Sequence, residues 1–167
     1  KNGAAYCSTA DARFKLIALG DVCSIVEDQR GNLWCGTNDC GIVAYNLTTG
    51  SIRSFRSNET GLGNDIVISS TIGKDGALWF GSFNGGLTCY KDGQFKAYRA
   101  STNGKGLVND NVWALKTEEN GNIVIATLGG GLQLLNPQTG QFTTYTTHNS
   151  PLVSNFLSSI AFDLTGN

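Results

Sequence analysis

The sequence predicts an all-β protein made of four-stranded antiparallel β-propeller blades, an incomplete set of them, and three observations carry that prediction. The first is composition: 22 glycines against 2 prolines and no methionine in 167 residues, with abundant Thr, Ser and Asn, is the usage of short strands joined by tight turns. The second is an internal period of 45 residues that superimposes Gly31 on Gly76 and Gly121, Leu33 on Leu78 and Ile123, Trp34 on Trp79 and Val124, and Gly41 on Gly86 and Gly131, with no gap. The third is that each period holds four short apolar runs separated by turn residues. Four strands in 45 residues make one propeller blade.

Taken in order, residues 1–19 read as the end of a blade, with Asn2–Tyr6 as a third strand and Ala12–Ile17 as an outer fourth strand. Residues 20–60 form a blade with strands at Val22–Glu27, Asn32–Thr37, Gly41–Tyr45 and Ser51–Phe55. Residues 61–105 form the next, at Ile66–Gly73, Ala77–Ser82, Leu87–Tyr90 and Gln94–Arg99, and residues 106–149 a third, at Val112–Thr117, Asn122–Thr127, Gly131–Leu135 and Gln141–Tyr145. Residues 150–167 start a further blade, whose first strand is expected at Asn155–Asp163. Turn dipeptides such as Asp75-Gly76 close the hairpins, where glycine supplies a positive φ. Inner strands carry apolar pairs such as Trp79-Phe80 and Val124-Ile125 because a blade is covered on both faces. Gly36 and Gly81, replaced by Ala126, sit where a side chain would crowd the adjacent sheet.

An open stack of blades leaves an uncovered apolar face and unpaired strand edges. Three arrangements meet that demand: a fragment of a larger propeller, a strained four-blade ring, or copies joined through their open ends. No linker or second domain is visible in the pattern.

A net charge of −1 and a pI near 5.7 leave no basic footprint, which excludes nucleic acid and direct membrane contact as expected partners. No apolar run approaches the roughly 20 residues of a membrane span. Lys1–Thr9 lack the apolar core of a secretion signal, so the chain is cytosolic or its signal has been removed. Five cysteines without a Cys-x-x-Cys pair, beside the single His148, assemble no zinc set. Buried free thiols are the plain expectation, and a Cys23–Cys35 disulfide between neighbouring strands is the alternative in an oxidising compartment. Asp28, Asp75, Glu118, Glu119 and Asp163 fall in or beside hairpin turns, where short acceptors stabilise the turn. His148 lies in a Thr-rich link without a nucleophile and acid around it. No catalytic site, metal or cofactor is therefore expected.

Binding remains. In a propeller the links between blades and the loops between second and third strands emerge together around the axial opening, where ligands and partners dock. The candidate ligand-binding residues are Phe83, Asn84, Arg99, Lys105, Trp113 and His148. Trp113 stands where other copies have Cys23, Ile68 and Ser158, and Phe83 where they have Asn38 and Leu128. Residues that break the repeat are better candidates than Asn64-Asp65 and Asn109-Asp110, which recur and so are expected to close turns.

The motifs Gly61-Leu62-Gly63-Asn64-Asp65, Glu27-Asp28-Gln29-Arg30-Gly31-Asn32-Leu33-Trp34-Cys35-Gly36-Thr37, Gly85-Gly86-Leu87 and Asn136-Pro137-Gln138-Thr139-Gly140-Gln141-Phe142 resemble the two-component-regulator propeller repeat of sensor regions in Bacteroidetes-type hybrid two-component systems. The resemblance covers nearly the whole chain, with Cys40, Val124 and Ala126 as departures. It implies a periplasmic sensor whose histidine kinase lies in other parts of the protein, signals that are oligosaccharides, and output through dimerisation. The expected function is a non-enzymatic ligand-sensing segment, with an oligosaccharide ligand and with self-association or the remaining blades of a parent chain as partners. A protein-interaction scaffold is the alternative. A virginiamycin-B-lyase-like enzyme, which shares Asp-Gly-x-Leu-Trp hairpins but calls for a histidine base and a metal, is the third reading.

Overall fold

The computed structural model describes residues 3–7, 14–17, 20–102 and 106–163, and every regular element among them is a strand. A two-stranded sheet pairs β1 (Ala4–Cys7) with β2 (Phe14–Ile17). Three four-stranded antiparallel meanders follow. They are β3 (Val22–Glu27), β4 (Asn32–Thr37), β5 (Ile42–Asn46) and β6 (Ile52–Phe55); β7 (Val67–Ile72), β8 (Leu78–Ser82), β9 (Gly86–Lys91) and β10 (Gln94–Tyr98); and β11 (Val112–Thr117), β12 (Ile123–Thr127), β13 (Gly131–Leu135) and β14 (Phe142–Tyr145). Each is a blade, and together they form part of a propeller, with no closed sheet among the described residues.

Successive sheets stack face to face through their first strands, β3 against β7 and β7 against β11. The core is accordingly divided into three clusters, one per interface. Ala4 and Ile17 of the first sheet meet Cys35, Val43 and Tyr45 of the second. Trp34, Ile42, Ala44 and Phe55 meet Val67, Leu78 and Phe80. Ala77, Trp79 and Leu87 meet Val112, Leu115, Ile123 and Ile125. All residues of β8 and β12 are buried, because both faces of a central strand are covered. Outer strand β10 has no buried residue.

Two expectations change. The segment Asn155–Asp163 is not a strand; its only ladder contact is a bridge from Phe156 to Leu128. A first strand needs a second to pair with, and no described residue supplies one. The 45-residue register also slips locally. Ile42 pairs with Phe55 and Leu132 with Tyr145, but Leu87 pairs with Tyr98, two positions early. The cause is the β9–β10 turn, reduced to Asp92 and Gly93 with φ of 51° and 82°. The link after β10 regains both residues.

The glycine spacing rests on close approach. A Cβ on Gly81 would overlap Ser69 Oγ of its own sheet and meet Val112 Cγ1 of the next at 2.5 Å and the Val112 carbonyl at 2.8 Å, and one on Gly36 would meet Ser24 and Val67 in the same way. These glycines have ordinary φ, so what excludes a side chain is space, taken by the paired serine of the same sheet and the valine of the neighbouring blade.

Candidate functional site

A further device repeats in the innermost strands. The ladder of each shifts between Val22 and Ser24, Val67 and Ser69, and Val112 and Ala114. Cys23, Ile68 and Trp113 are therefore bulge residues, unpaired in the ladder, and a bulge turns its extra side chain out of the alternating pattern. In the third blade that side chain is an indole, 36% exposed, and beside it stands Phe83, 38% exposed, on the β8–β9 loop of the blade before. Their ring centroids lie 6.4 Å apart at 78°, an edge-to-face contact across the blade junction.

The surrounding polar groups fix this loop. Asn84 takes a positive φ of 52°, and its N–H donates to Asn111 Oδ1 at 3.0 Å. Gly86 N–H donates to the Asp110 carbonyl at 2.8 Å. Arg99 pairs with the Asp110 carboxylate at 3.3 Å and donates to the Gly63 carbonyl at 3.3 Å, so it pins the link that carries Asn111. Arg56 does the same for Asp65 at 3.7 Å, one blade earlier. Asp65 and Asp110 accept from Ser57 N and Ala100 N at 2.7 Å each, and Asn155 from Thr147 N at 2.9 Å, which makes this position a clasp in the links after β6, β10 and β14.

The structure thus brings Phe83, Asn84 and Trp113 together, with Arg99 joined to them through Asp110. His148 stands apart on the exposed link after β14, its Nδ1 3.5 Å from Thr147 Oγ1. Lys105 lies outside the described residues. Asn111 escaped the sequence reading although it anchors the Asn84 turn; the available signal was that it replaces Ile66 and is itself replaced by Phe156 at the repeat spacing. Chemically, the cluster offers two aromatic edges and faces beside amides and a guanidinium, and no group placed to move a proton. Among the described residues no set of three His, Cys, Asp or Glu side chains is arranged to hold a metal.

The cysteine alternative is corrected. Cys35 stands opposite Ile25 in the ladder while Cys23 is the exposed bulge residue, and both are free. Burial pushes the Cys35 thiol up to about 11, and burial with the Asp75 charge does the same to Cys89. Thiols so placed stay protonated at neutral pH and are poor nucleophiles.

The opposite end of the blades is held by turn carboxylates. Burial by itself would raise the Asp28 pKa, but Asn32 Nδ2 and Trp34 Nε1, at 2.8 Å each, and the Asn32 and Arg30 amides hold it below 3.8. A carboxylate depressed in the fold contributes stability that is present above its unfolded pKa, near 3.9, and is lost as pH falls through the folded value. Asp28→Asn is expected to flatten the acid limb of the stability curve below about pH 4, measured as urea midpoint against pH.

Residues 17–39, which run from the end of β2 through the first hairpin of the second sheet, match the family described as two component regulator propeller. No curated protein matches the chain. Among solved structures, the extracellular domain of a hybrid two component system from B. thetaiotaomicron is 26% identical over 83% of this chain, with a TM-score of 0.61. The extracellular domain of a one component system from the same organism is 18% identical over 99% of the chain, TM-score 0.58. Virginiamycin B lyase from Staphylococcus aureus is 14% identical over 99%, TM-score 0.78, and at that identity the likeness is one of fold. The chain spans 18%, 28% and 54% of those three structures respectively. Among the described residues no helix is long and apolar enough to cross a membrane.

Proposed function

We propose that this chain, a propeller segment with a repeat of the two component regulator type, is a non-catalytic ligand-sensing part of the periplasmic region of a hybrid two-component sensor kinase, and that its ligand is an oligosaccharide. The observation that carries this reading is the Phe83–Trp113 pair. Both rings are left open on the link face of a chain whose other tryptophans, Trp34 and Trp79, are 5% and 2% exposed. An aromatic edge and face take up the C–H surface of a sugar ring, and the neighbouring amides and Arg99 suit its hydroxyls. Support for the sensor context comes from the family match over residues 17–39 and the extracellular signalling domains of similar fold.

The test is calorimetric titration of the full natural chain with a panel of plant and host oligosaccharides. Phe83→Ala and Trp113→Ala are each expected to weaken the responsive saccharide by about two- to tenfold, the range of one lost aromatic stacking contact, with unchanged thermal midpoints. Binding that survives both substitutions would remove this site, and silence across the panel would remove the ligand class.

The partner on the outer face of the β11–β14 sheet is a further blade of the parent chain. Half-buried Leu132, Leu134 and Tyr145 occupy the positions that Ile42, Ala44 and Phe55 fill in a buried interface. Sedimentation separates this from self-association: a Leu134→Asp-sensitive dimer of this chain would favour a second copy.

A further inference from the structure

The geometry points to a second ligand site on the other end of the blades, for a saccharide that bears a carboxylate. Between the β3–β4 turn and the turns of the next blade lies a cleft of about 570 Å³. A hollow of about 60 Å³ continues it outward and shares Asn32, Trp34 and Arg53 with it. The cleft sits at the hairpin-turn end, so it is separate from the Phe83–Trp113 cluster at the link end.

The lining charges divide into those already engaged and those left over. Asp28 is taken up by Asn32, Trp34 and two backbone amides, and Asp75 pairs with Lys91 at 2.6 Å. What remains is Arg30 and Arg53, neither with a carboxylate within 4.0 Å among the described residues, against the single Asp92. Hydrogen bonds from neutral donors leave the Asp28 charge in place, so the lining balances Asp28, Asp75 and Asp92 against Arg30, Arg53 and Lys91, and it is the two guanidinium groups that have no ion-pair partner to give up.

Arg53 is also held in place. Its Cζ lies 5.2 Å from the Phe55 centroid, Phe55 stacks on Trp34 at 5.3 Å and 17°, and Trp34 meets Tyr90 at 4.7 Å. A guanidinium laid on an aromatic ladder has lost much of its rotamer freedom before any ligand arrives. Its N–H fork matches the two oxygens of a carboxylate. Gln29 and Asp92, at the cleft margins, supply an amide and an acceptor for hydroxyl groups, and the half-buried Tyr90 offers a ring edge, Trp34 and Leu78 beneath it being 5% and 2% exposed. A guanidinium fork without a carboxylate partner, groups for hydroxyls and one aromatic edge together describe a uronic-acid sugar better than a bare anion or a neutral glycan.

The experiment titrates the full natural chain with trigalacturonate, with neutral galactotriose and with acetate alone. Trigalacturonate is expected to bind, galactotriose at least about tenfold more weakly, and acetate more weakly still, with trigalacturonate affinity falling as salt rises. Arg53→Gln is expected to weaken trigalacturonate about tenfold while the thermal midpoint holds, and Arg53→Lys to recover only part of it, because an ammonium keeps the charge and loses the fork. Arg53→Gln should leave untouched any neutral saccharide whose binding Trp113→Ala weakens, which keeps this inference separate from the proposal for the link face. Equal binding of galactotriose, acetate as tight as trigalacturonate, no binding of trigalacturonate, or an Arg53→Gln protein of unchanged affinity would each overturn it.

Discussion

Replacing Trp34 with alanine is expected to lower stability by about 3–5 kcal/mol, the range for removing a buried aromatic side chain from a packed core. The indole is 5% exposed and packs against Phe55, Phe80 and Tyr90 at the interface of two blades, so its loss opens a cavity that neither sheet can close without sliding on the other. The phenylalanine pair makes the sharper measurement. Trp34 Nε1 donates to Asp28 Oδ2 at 2.8 Å. Its repeat counterpart Trp79 has a buried Nε1 with no partner, because position 73 is glycine where the first copy has Asp28. Trp34→Phe removes a hydrogen bond to a charged group, about 1.5–3 kcal/mol, whereas Trp79→Phe removes an orphaned donor and loses volume alone. Urea midpoints at constant m-value should therefore fall further for Trp34→Phe than for Trp79→Phe. Equal shifts would mean that the Asp28 bond adds nothing.

The contrast between those two tryptophans shows what the sequence could and could not reveal. An apolar pair at a fixed offset from a turn glycine, Leu-Trp in two copies and Ile-Val in the third, repeated every 45 residues, was enough to place the blades and their buried inner strands. Gly36 and Gly81 announced close contact with a neighbouring sheet, and Val67 and Val112 are the residues they touch. The period concealed local shifts that compensate within one repeat. The two residues missing from the Asp92-Gly93 turn return in the next link, so the glycines on either side stay in step while Tyr98 moves. Bulges are hidden for a related reason: a bulge changes which residues pair without changing how many there are, so Trp113 read as an odd residue in a strand instead of an aimed one. Departure from the repeat singled out Phe83 and Trp113, whose rings the structure sets edge to face, since identity with the repeat marks packing. The same rule gave no warning of the Arg53 cleft, whose guanidinium is defined by a stack of ordinary core aromatics.

Gly86→Ala is expected to cost roughly 2–5 kcal/mol, a left-handed strain of about 1–2 acting with overpacking of about 1–3. Gly86 has φ of 71°, and a Cβ there would overlap the Tyr98 carbonyl oxygen and press on Asp110 Oδ1 at 3.1 Å and Leu107 Cδ2 at 3.2 Å. Gly41 and Gly131 meet the carbonyls of Phe55 and Tyr145 in the same way, so three blades place a glycine where the third strand starts beneath the end of the fourth. Gly93→Ala separates the two contributions. It has φ of 82° but open space around its Cβ position, and should show the backbone strain alone. The two variants also differ in reach. Gly86 N–H bonds the Asp110 carbonyl, which ties the loop bearing Phe83 to the link held by Arg99. Gly86→Ala is thus expected to loosen the aromatic pair as well as the blade, seen as weakened saccharide binding at the Phe83–Trp113 face at temperatures where the protein is still folded, while Gly93→Ala, at the opposite end of the blade, leaves that face unchanged. A Gly86→Ala protein as stable as Gly93→Ala would mean that the Tyr98 carbonyl yields, and that the strand junction is softer than its geometry requires.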